Sequence, residues 1–400
     1  MPSICLYFQV HQPRRLRHYA YFDIGRGHDY EDKLENRRII ERVAAKCYLP
    51  TNALLLRLIE AWKGRFRLAL SLSGVIIEEL ERYRPDVLES FRRLASTGCC
   101  EFLNETESHS LALLFSPQEF REQVERHRRR IKDLFGQEAK TFRNTELIYN
   151  NDLARTAAAM GYQVILAEGT ERLLGTLSPN RVYRPPGCDG LALLLRNYRL
   201  SDDVAFRFSD KNWPEYPLTA DKYAHWLHQI GNDDRVVNLF MDYETFGEHQ
   251  WADTGIFAFL EALPDAILRH PDFTFQTPSE VAQNYPAVAE LDCPETISWA
   301  DEERDTTAWL GNPLQCDASR ALYALEDPVR AARDKDLLKQ WRLLQTSDHF
   351  YYMCTKWFAD GDVHCYFNPY ESPYEAYINY MNVLDDLSRR VRKPNKGEKP

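Results

Sequence analysis

The sequence predicts an α/β protein whose parallel strands curl into a closed or nearly closed barrel, continued by a helical region. Three observations predict it. Strand-like and helix-like segments alternate through the first two-thirds of the 400 residues, as parallel strands joined by helical crossovers must. Seven or eight such units fit into about 280 residues, which favours a barrel over an open sheet. After Pro286 the strand signals end and helical patterns take over.

The elements follow in order. Ile4 to Val10 sets Ile, Leu, Phe and Val on one face and stops at His11-Gln12-Pro13, so it reads as the first strand. A helix follows from about Arg37 to Trp62. Phe66 to Leu72 is a second strand ending at Ser73-Gly74, with a helix from Val75 to Leu94. Cys99 to Leu103 is the third strand, and Ser116-Pro117 opens a helix reaching Phe135. Thr141 to Thr145, Val164 to Ala167 and Leu191 to Arg196 are the next strands, with a helix from Asn151 to Met160. The linker from Ala167 to Leu191 shows no helix. Arg235 to Met241 is apolar enough for a strand buried on both faces, and a helix from Phe257 to Leu268 follows. Phe273 to Phe275 is a possible eighth strand, before the helix-start signature Thr277-Pro278-Ser279-Glu280. Helices then cover Asp317 to Leu325, Pro328 to Thr346, His349 to Phe358 and Pro373 to Arg390. The expected division is a catalytic barrel over 1–290, a helical region over 291–390 and a disordered tail over 391–400.

Composition narrows the function class. The net charge of −10 gives no basic footprint for nucleic acid. The Arg126–Arg130 run falls in a helical pattern and reads as a solvated helix face. No run of about 18 apolar residues predicts a membrane span, and no basic n-region or cleavage site opens the chain. A cytoplasmic location is therefore expected. The nine cysteines are odd in number and irregularly spaced, without a CxxC pair, so buried thiols are expected rather than disulfides or a zinc ribbon. The 12% aromatic content suits sugar stacking and an ordinary core equally well.

In a parallel barrel, chemistry gathers at the C-terminal strand ends. Here those ends carry His11, Ser73-Gly74 with Glu78 beyond, Asn104-Glu105 with His109 beyond, Glu146, and Asp242 with Glu244 and His249 beyond. Glu146 and Asp242 stand out. Retaining glycosidases need one carboxylate to attack the anomeric carbon and a second carboxyl, about 5–5.5 Å away, to protonate the leaving oxygen. Met241, Tyr243 and Phe240 around Asp242 would desolvate it and raise its pKa. From spacing alone, helix caps or structural ion pairs fit the two carboxylates as well.

At these residues the sequence resembles glycoside hydrolase family 57, which carries five marker segments in fixed order. They correspond here to His11-Gln12-Pro13, Gly74 to Glu78, Arg143-Asn144-Thr145-Glu146, Asp242-Tyr243-Glu244-Thr245-Phe246-Gly247, and Thr277 to Glu280. Thr346 to Met353 also resembles the family's helical segment near the site. The resemblance covers residues 4 to 385. It implies an incomplete (β/α)₇ barrel followed by a C-terminal helical bundle. It also implies a retaining mechanism without metal or other cofactor, and an α-glucan substrate. The family includes α-amylases, 4-α-glucanotransferases, branching enzymes, amylopullulanases and α-galactosidases. The third segment departs from a common family form, because Phe142-Arg143-Asn144 stands where a tryptophan-containing stretch precedes the glutamate. The modest length fits the short α-amylase-like group best.

The resemblance implies roles residue by residue. Glu146 is the nucleophile and Asp242 the general acid/base. His11, Gln12, Glu78, His109, Glu244 and His249 would bind sugar hydroxyls, and Arg143 would keep Glu146 ionised. Asp348, His349 and Trp357 belong to the helical region expected to fold over the mouth. A 4-α-glucanotransferase or branching enzyme is the nearest alternative, with the loops at 168–190 and 292–316 (the latter carrying Trp299 and Trp309) as candidate shields. A non-catalytic glucan-binding protein is a second alternative, and it would be expected to lack one of the two carboxylates. A metal-dependent barrel hydrolase needs an aspartate near the strand-end histidine, where this chain has Gln12 and Pro13. Oligomeric state is not legible.

Overall fold

The computed structural model describes residues 2–231, 233–356 and 368–392. Trp357, with Phe358 at the end of the helix expected at His349 to Phe358, and nearly all of the expected tail lie outside them; within the described residues that helix is Ser347–Tyr351. Among the described residues nine strands form: β1 Ser3–Val10, β2 Leu68–Leu72, β3 Cys100–Phe102, β4 Thr141–Arg143, β5 Val164–Glu168, β6 Val182–Tyr183, β7 Ala192–Arg196, β8 Val236–Asp242 and β9 Thr274–Phe275. One sheet has the order β3-β2-β1-β8, with β9 joined to β1, and the other β4-β5-β7-β6. All pairings are parallel except β6 with β7.

Two seams link the sheets. Between β3 and β4, Asn104 N–H donates to the Thr141 carbonyl at 3.0 Å and Arg143 N–H donates to the Asn104 carbonyl at 2.9 Å. Between β7 and β8, Asn197 N–H donates to the Asn238 carbonyl and Asn238 Nδ2 to the Leu195 carbonyl, each at 2.9 Å. The strands are buried on both faces because each alternates between two cores. Cys5, Tyr7, Ala69, Leu103, Leu166, Leu194 and Phe240 share an inner cluster. Ile4, Leu6, Phe8, Leu70, Val237 and Leu239 pack outward with the helices of the first half.

Several expected elements subdivide. The helix at Arg37 to Trp62 is Lys33–Val43, a π-helical turn at Ala44–Tyr48 and Leu49–Ala61. The helix at Val75 to Leu94 breaks into Gly74–Tyr83 and Pro85–Ser96, because Pro85 forces Arg84 out of the helical region (φ −144°, ψ 64°). The linker from Ala167 to Leu191 holds a short helix, Glu171–Leu174, and the antiparallel β6. Helices Tyr198–Ala205 and Ala220–His228, not expected from the pattern, precede β8. The helix expected at Pro328 to Thr346 is instead two, Glu326–Ala331 and Lys335–Leu343, with Arg333 at positive φ between them.

The C-terminal helices, including Pro313–Tyr323 and Pro373–Arg392, share a core of Trp309, Leu322, Trp341, Phe350, Tyr380 and Leu384, which Tyr19 and Tyr30 also enter. The basic run at Arg126–Arg130 is not wholly solvated: His127 is buried on the Asn104 side chain and the Leu72 carbonyl, and Arg128 covers the Tyr162 ring. Among the described residues, no helix is long and apolar enough to cross a membrane, and the cysteines are free thiols.

Candidate active site

The strand register brings the polar strand ends together. Gln9 of β1 lies level with Asp242 of β8, and Val10 with Leu72 of β2. His11 therefore emerges beside Ser73, and its Nδ1 lies 2.6 Å from Ser73 Oγ. Asp242 shares its strand face with Phe240, which points inward. Beyond it the chain turns at Gly247, where φ is +112° and a Cβ would meet the Lys46 carbonyl oxygen at 2.1 Å. Only glycine fits there.

Glu146 follows β4 by three residues and has a left-handed backbone (φ 56°, ψ 27°), and so does Leu147 (φ 50°). His109 is left-handed too, with φ 48°. Such conformations cost about 1–3 kcal/mol each and are held by the surrounding contacts. Those contacts converge on the Glu146 carboxylate. His109 Nε2 lies 2.9 Å from Oε1, Trp299 Nε1 donates to Oε2 at 2.8 Å, and Ser347 Oγ lies 3.4 Å from Oε1. The other nitrogen of His109 binds Glu105 at 2.9 Å, so one imidazole spans two carboxylates. Burial raises the pKa of Glu146, but the hydrogen bond and charge of His109, together with Arg143, outweigh it, and the net direction is down. Burial depresses His109, yet its two carboxylate partners lift it to about 9.

Asp242 moves the opposite way. Burial and then the charge of Glu146 raise it to about 6, against the pull of Arg143, Arg196 and His109. Glu244, two residues on, is raised to about 8 by burial and by Asp242. It accepts from Tyr48 Oη, delivered by the π-helical turn, and from His11 N–H at 3.3 Å. The imidazoles of His11 and His109 stack at 3.9 Å. Burial and the His109 charge lower the pKa of His11, although Asp348 Oδ2 sits 3.0 Å from its Nε2. The two stacked imidazoles are thus shifted in opposite directions, His11 down and His109 up.

These groups line a cavity of about 260 Å³ with Trp299, Trp309, Tyr351, Tyr352, Met241 and the exposed ring of Phe206. Of the residues expected from sequence, His11, Gln12, His109, Glu146, Asp242, Glu244, His249 and Asp348 all face it. Burial depresses the His249 pKa to about 4. Arg143 lies beneath, wholly buried, with its guanidinium carbon 4.8 Å from the centre of the Trp299 ring.

Glu78 and His349 are placed elsewhere, on a second cavity lined by Arg14, Arg82, Arg130 and Lys339. Glu78 pairs with Arg14 at 2.6 Å and Lys339 at 3.1 Å. The Gly74–Tyr83 helix carries it away from the strand end, and the Ser347–Tyr351 turn points Asp348 and His349 to opposite sides. The site also holds residues to which sequence reasoning assigned no role: Gln9, Glu105, Arg196, Asp202, Ser347 and Arg304. Gln9 meets Glu105, Ser347 meets Glu146, and Arg304 meets Glu168 and Asp202 across 96 to 201 residues, which spacing cannot signal, whereas Glu105 with His109 and Arg196 with Asp202 are local pairs.

The model of glycosyl hydrolase family 57 matches residues 5–294. A Methanocaldococcus jannaschii protein named "Putative alpha-amylase" is 42% identical over 96% of this chain and 84% of its own length. The chain belongs to glycosyl hydrolase family 57. It is a glycoside hydrolase by family. Solved family 57 structures share its fold. A branching enzyme from Thermococcus kodakaraensis superposes with a TM-score of 0.68 at 14% identity, over 98% of this chain and 92% of that one. A 4-alpha-glucanotransferase from Thermococcus litoralis gives 0.67 at 16% identity, over 87% of this chain and 56% of that one. The family match ends at residue 294, so Trp299 and Arg304, which border the cavity, lie beyond it.

Proposed function

We propose that this family 57 enzyme is a retaining glycosidase acting on α-1,4-glucans in the manner of an α-amylase. Glu146 attacks the anomeric carbon and carries the glycosyl ester. Asp242 protonates the departing oxygen and then takes a proton from water. The observation that carries the reading is the opposite tuning of two carboxyls on one cavity, Glu146 held down and Asp242 raised to about 6. Divergent pKa values in a carboxyl pair assign nucleophile and acid. His11, Gln12, His109, Glu244, His249 and Asp348 are assigned to sugar hydroxyls or to the orientation of the two carboxyls. The chain is read as an incomplete (β/α)₇ barrel over 1–290 with a helical bundle over 291–390.

The apolar walls of Trp299, Trp309, Tyr351 and Tyr352 favour one second reading. Apolar walls disfavour water, and a sugar hydroxyl that replaced water would make the same site a 4-α-glucanotransferase or branching enzyme. One experiment separates the two. Maltoheptaose and amylose are incubated with the enzyme, Glu146→Gln and Asp242→Asn, and the products followed by chromatography and proton NMR. Shorter oligosaccharides released in the α-configuration, and lost in both variants, are expected. Longer chains or α-1,6 signals would move the activity to a transferase, and β-configured products would overturn retention.

A further inference from the structure

We infer that Trp299 is a positioning residue for the nucleophile, and that Arg304 holds it in place. The inference rests on Glu146 being the nucleophile. The Glu146 carboxylate is anchored from two sides: His109 and Ser347 on Oε1, and the Trp299 indole on Oε2. The indole comes from a segment 153 residues away in sequence. Its backbone also follows the nucleophile, since Trp299 N–H donates to the Glu146 carbonyl at 3.3 Å. Nucleophile and indole are thus tied at both main chain and side chain.

Two guanidiniums flank the ring, with Arg143 at 4.8 Å and Arg196 at 5.7 Å from its centre. Cations over an indole face withdraw electron density from it. The N–H becomes a stronger donor to the anion it faces.

Arg304 anchors the tryptophan. Its Nη1 donates to the Trp299 carbonyl at 2.5 Å and reaches Glu168 at 3.4 Å, and its Nη2 donates to Asp202 at 3.1 Å. Glu168 and Asp202 are buried and also bind Arg196. The neck of the loop is closed by Ser298 N–H on the Arg304 carbonyl at 3.1 Å. Asp301 and Arg304 both adopt φ +53° to make the turn. The 299–304 stretch is therefore a built wall that delivers one N–H to one carboxylate oxygen.

A donor to the carboxylate favours its charged form. Removing the donor should raise the pKa at which Glu146 ionises and free the carboxylate to rotate. Trp299→Phe keeps an aromatic ring, though a smaller one, and deletes the N–H. The expected result is a kcat reduced roughly 10- to 100-fold, as for a lost hydrogen bond to a charged group. KM should change little, and the acid limb of kcat/KM should move up by about one pH unit. Arg304→Ala should shift both in the same direction, and adding it to Trp299→Phe should cost little more.

The wild-type enzyme labelled with ¹⁵N-tryptophan supplies a second readout that needs no variant at position 299. One indole N–H resonance should titrate with the acid limb, and Glu146→Gln should abolish that titration. An acid limb and kcat left at wild-type values in Trp299→Phe would overturn the inference, as would an indole spectrum unchanged by Glu146→Gln. A Glu146→Gln enzyme that still turns over would instead overturn the nucleophile assignment, so the two failures are distinguishable.

Discussion

At the scale of single residues, the proposed mechanism asks the site to keep one carboxyl charged and its neighbour protonated. His109 is the pivot, because a single imidazole spans Glu105 and Glu146 and stacks on His11. Activity by this mechanism needs Glu146 ionised and Asp242 protonated. The rate should rise with pH through the depressed pKa of Glu146 and fall again around pH 6, where Asp242 loses its proton. The charge of Glu146 is one of the two causes that hold Asp242 up. Glu146→Gln removes that charge, so the Asp242 pKa should drop in the variant. Carbon NMR of ¹³C-carboxyl aspartate in Glu146→Gln reads this directly. An Asp242 that still titrates near 6 there would assign the shift to burial alone.

At the scale of elements, what was legible follows from how far each signal lies along the chain. β1 and β8 are continuous apolar runs because helices cover one face and the barrel core the other, and Ile4 to Val10 and Arg235 to Met241 predict them within a residue or two. The strand-end rule with the marker segments singled out Glu146 and Asp242, and both line the cavity. The break at Pro85 and the π-helical turn at Ala44–Tyr48 interrupt patterns that read as unbroken periodicity. Trp299 was read only as part of a candidate shielding loop, and Arg304 was given no role of its own, because their contacts are with Glu146, Glu168 and Asp202, between 102 and 153 residues distant. Glu78 was misplaced because strand-end proximity does not say which way a helix turns its side chain.

The docking of the C-terminal helices shows the same limit. Glu119 of the Pro117–Phe135 helix is wholly buried and accepts from Arg342 at 2.7 and 2.9 Å and from Arg330 at 2.7 Å. Removing Glu119 deletes these charge-assisted hydrogen bonds, about 1.5–3 kcal/mol, while Arg342 and Arg330 keep Glu122 and Arg330 keeps Glu326. Glu119→Ala should therefore lower the urea midpoint and expose the helices after residue 313 to proteolysis. Glu125→Ala, on the same helix but paired only at its surface, should do neither.

At the scale of the whole molecule, the tuning that the proposed mechanism uses works against stability. Asp242 has its pKa raised from 3.8 to about 6 by burial and by Glu146. The folded state therefore holds this proton more tightly than the unfolded chain does. Stability falls as pH rises from the unfolded pKa through the folded one, and the deficit is complete above about pH 6. Glu244 adds a second deficit, developing between 4.5 and about 8. A neutral amide of the same shape removes the proton linkage. Asp242→Asn should then be inactive yet more stable than the parent above pH 6, with the difference vanishing below about pH 4. Glu244→Gln should add a gain that keeps growing to about pH 8. Thermal unfolding of the parent and both variants between pH 4 and 9 measures it. An Asp242→Asn melting point below that of the parent at pH 8 would mean that the charged carboxylate is stabilised by Arg143 and Arg196 more than burial penalises it, and would overturn the raised pKa on which the acid assignment stands.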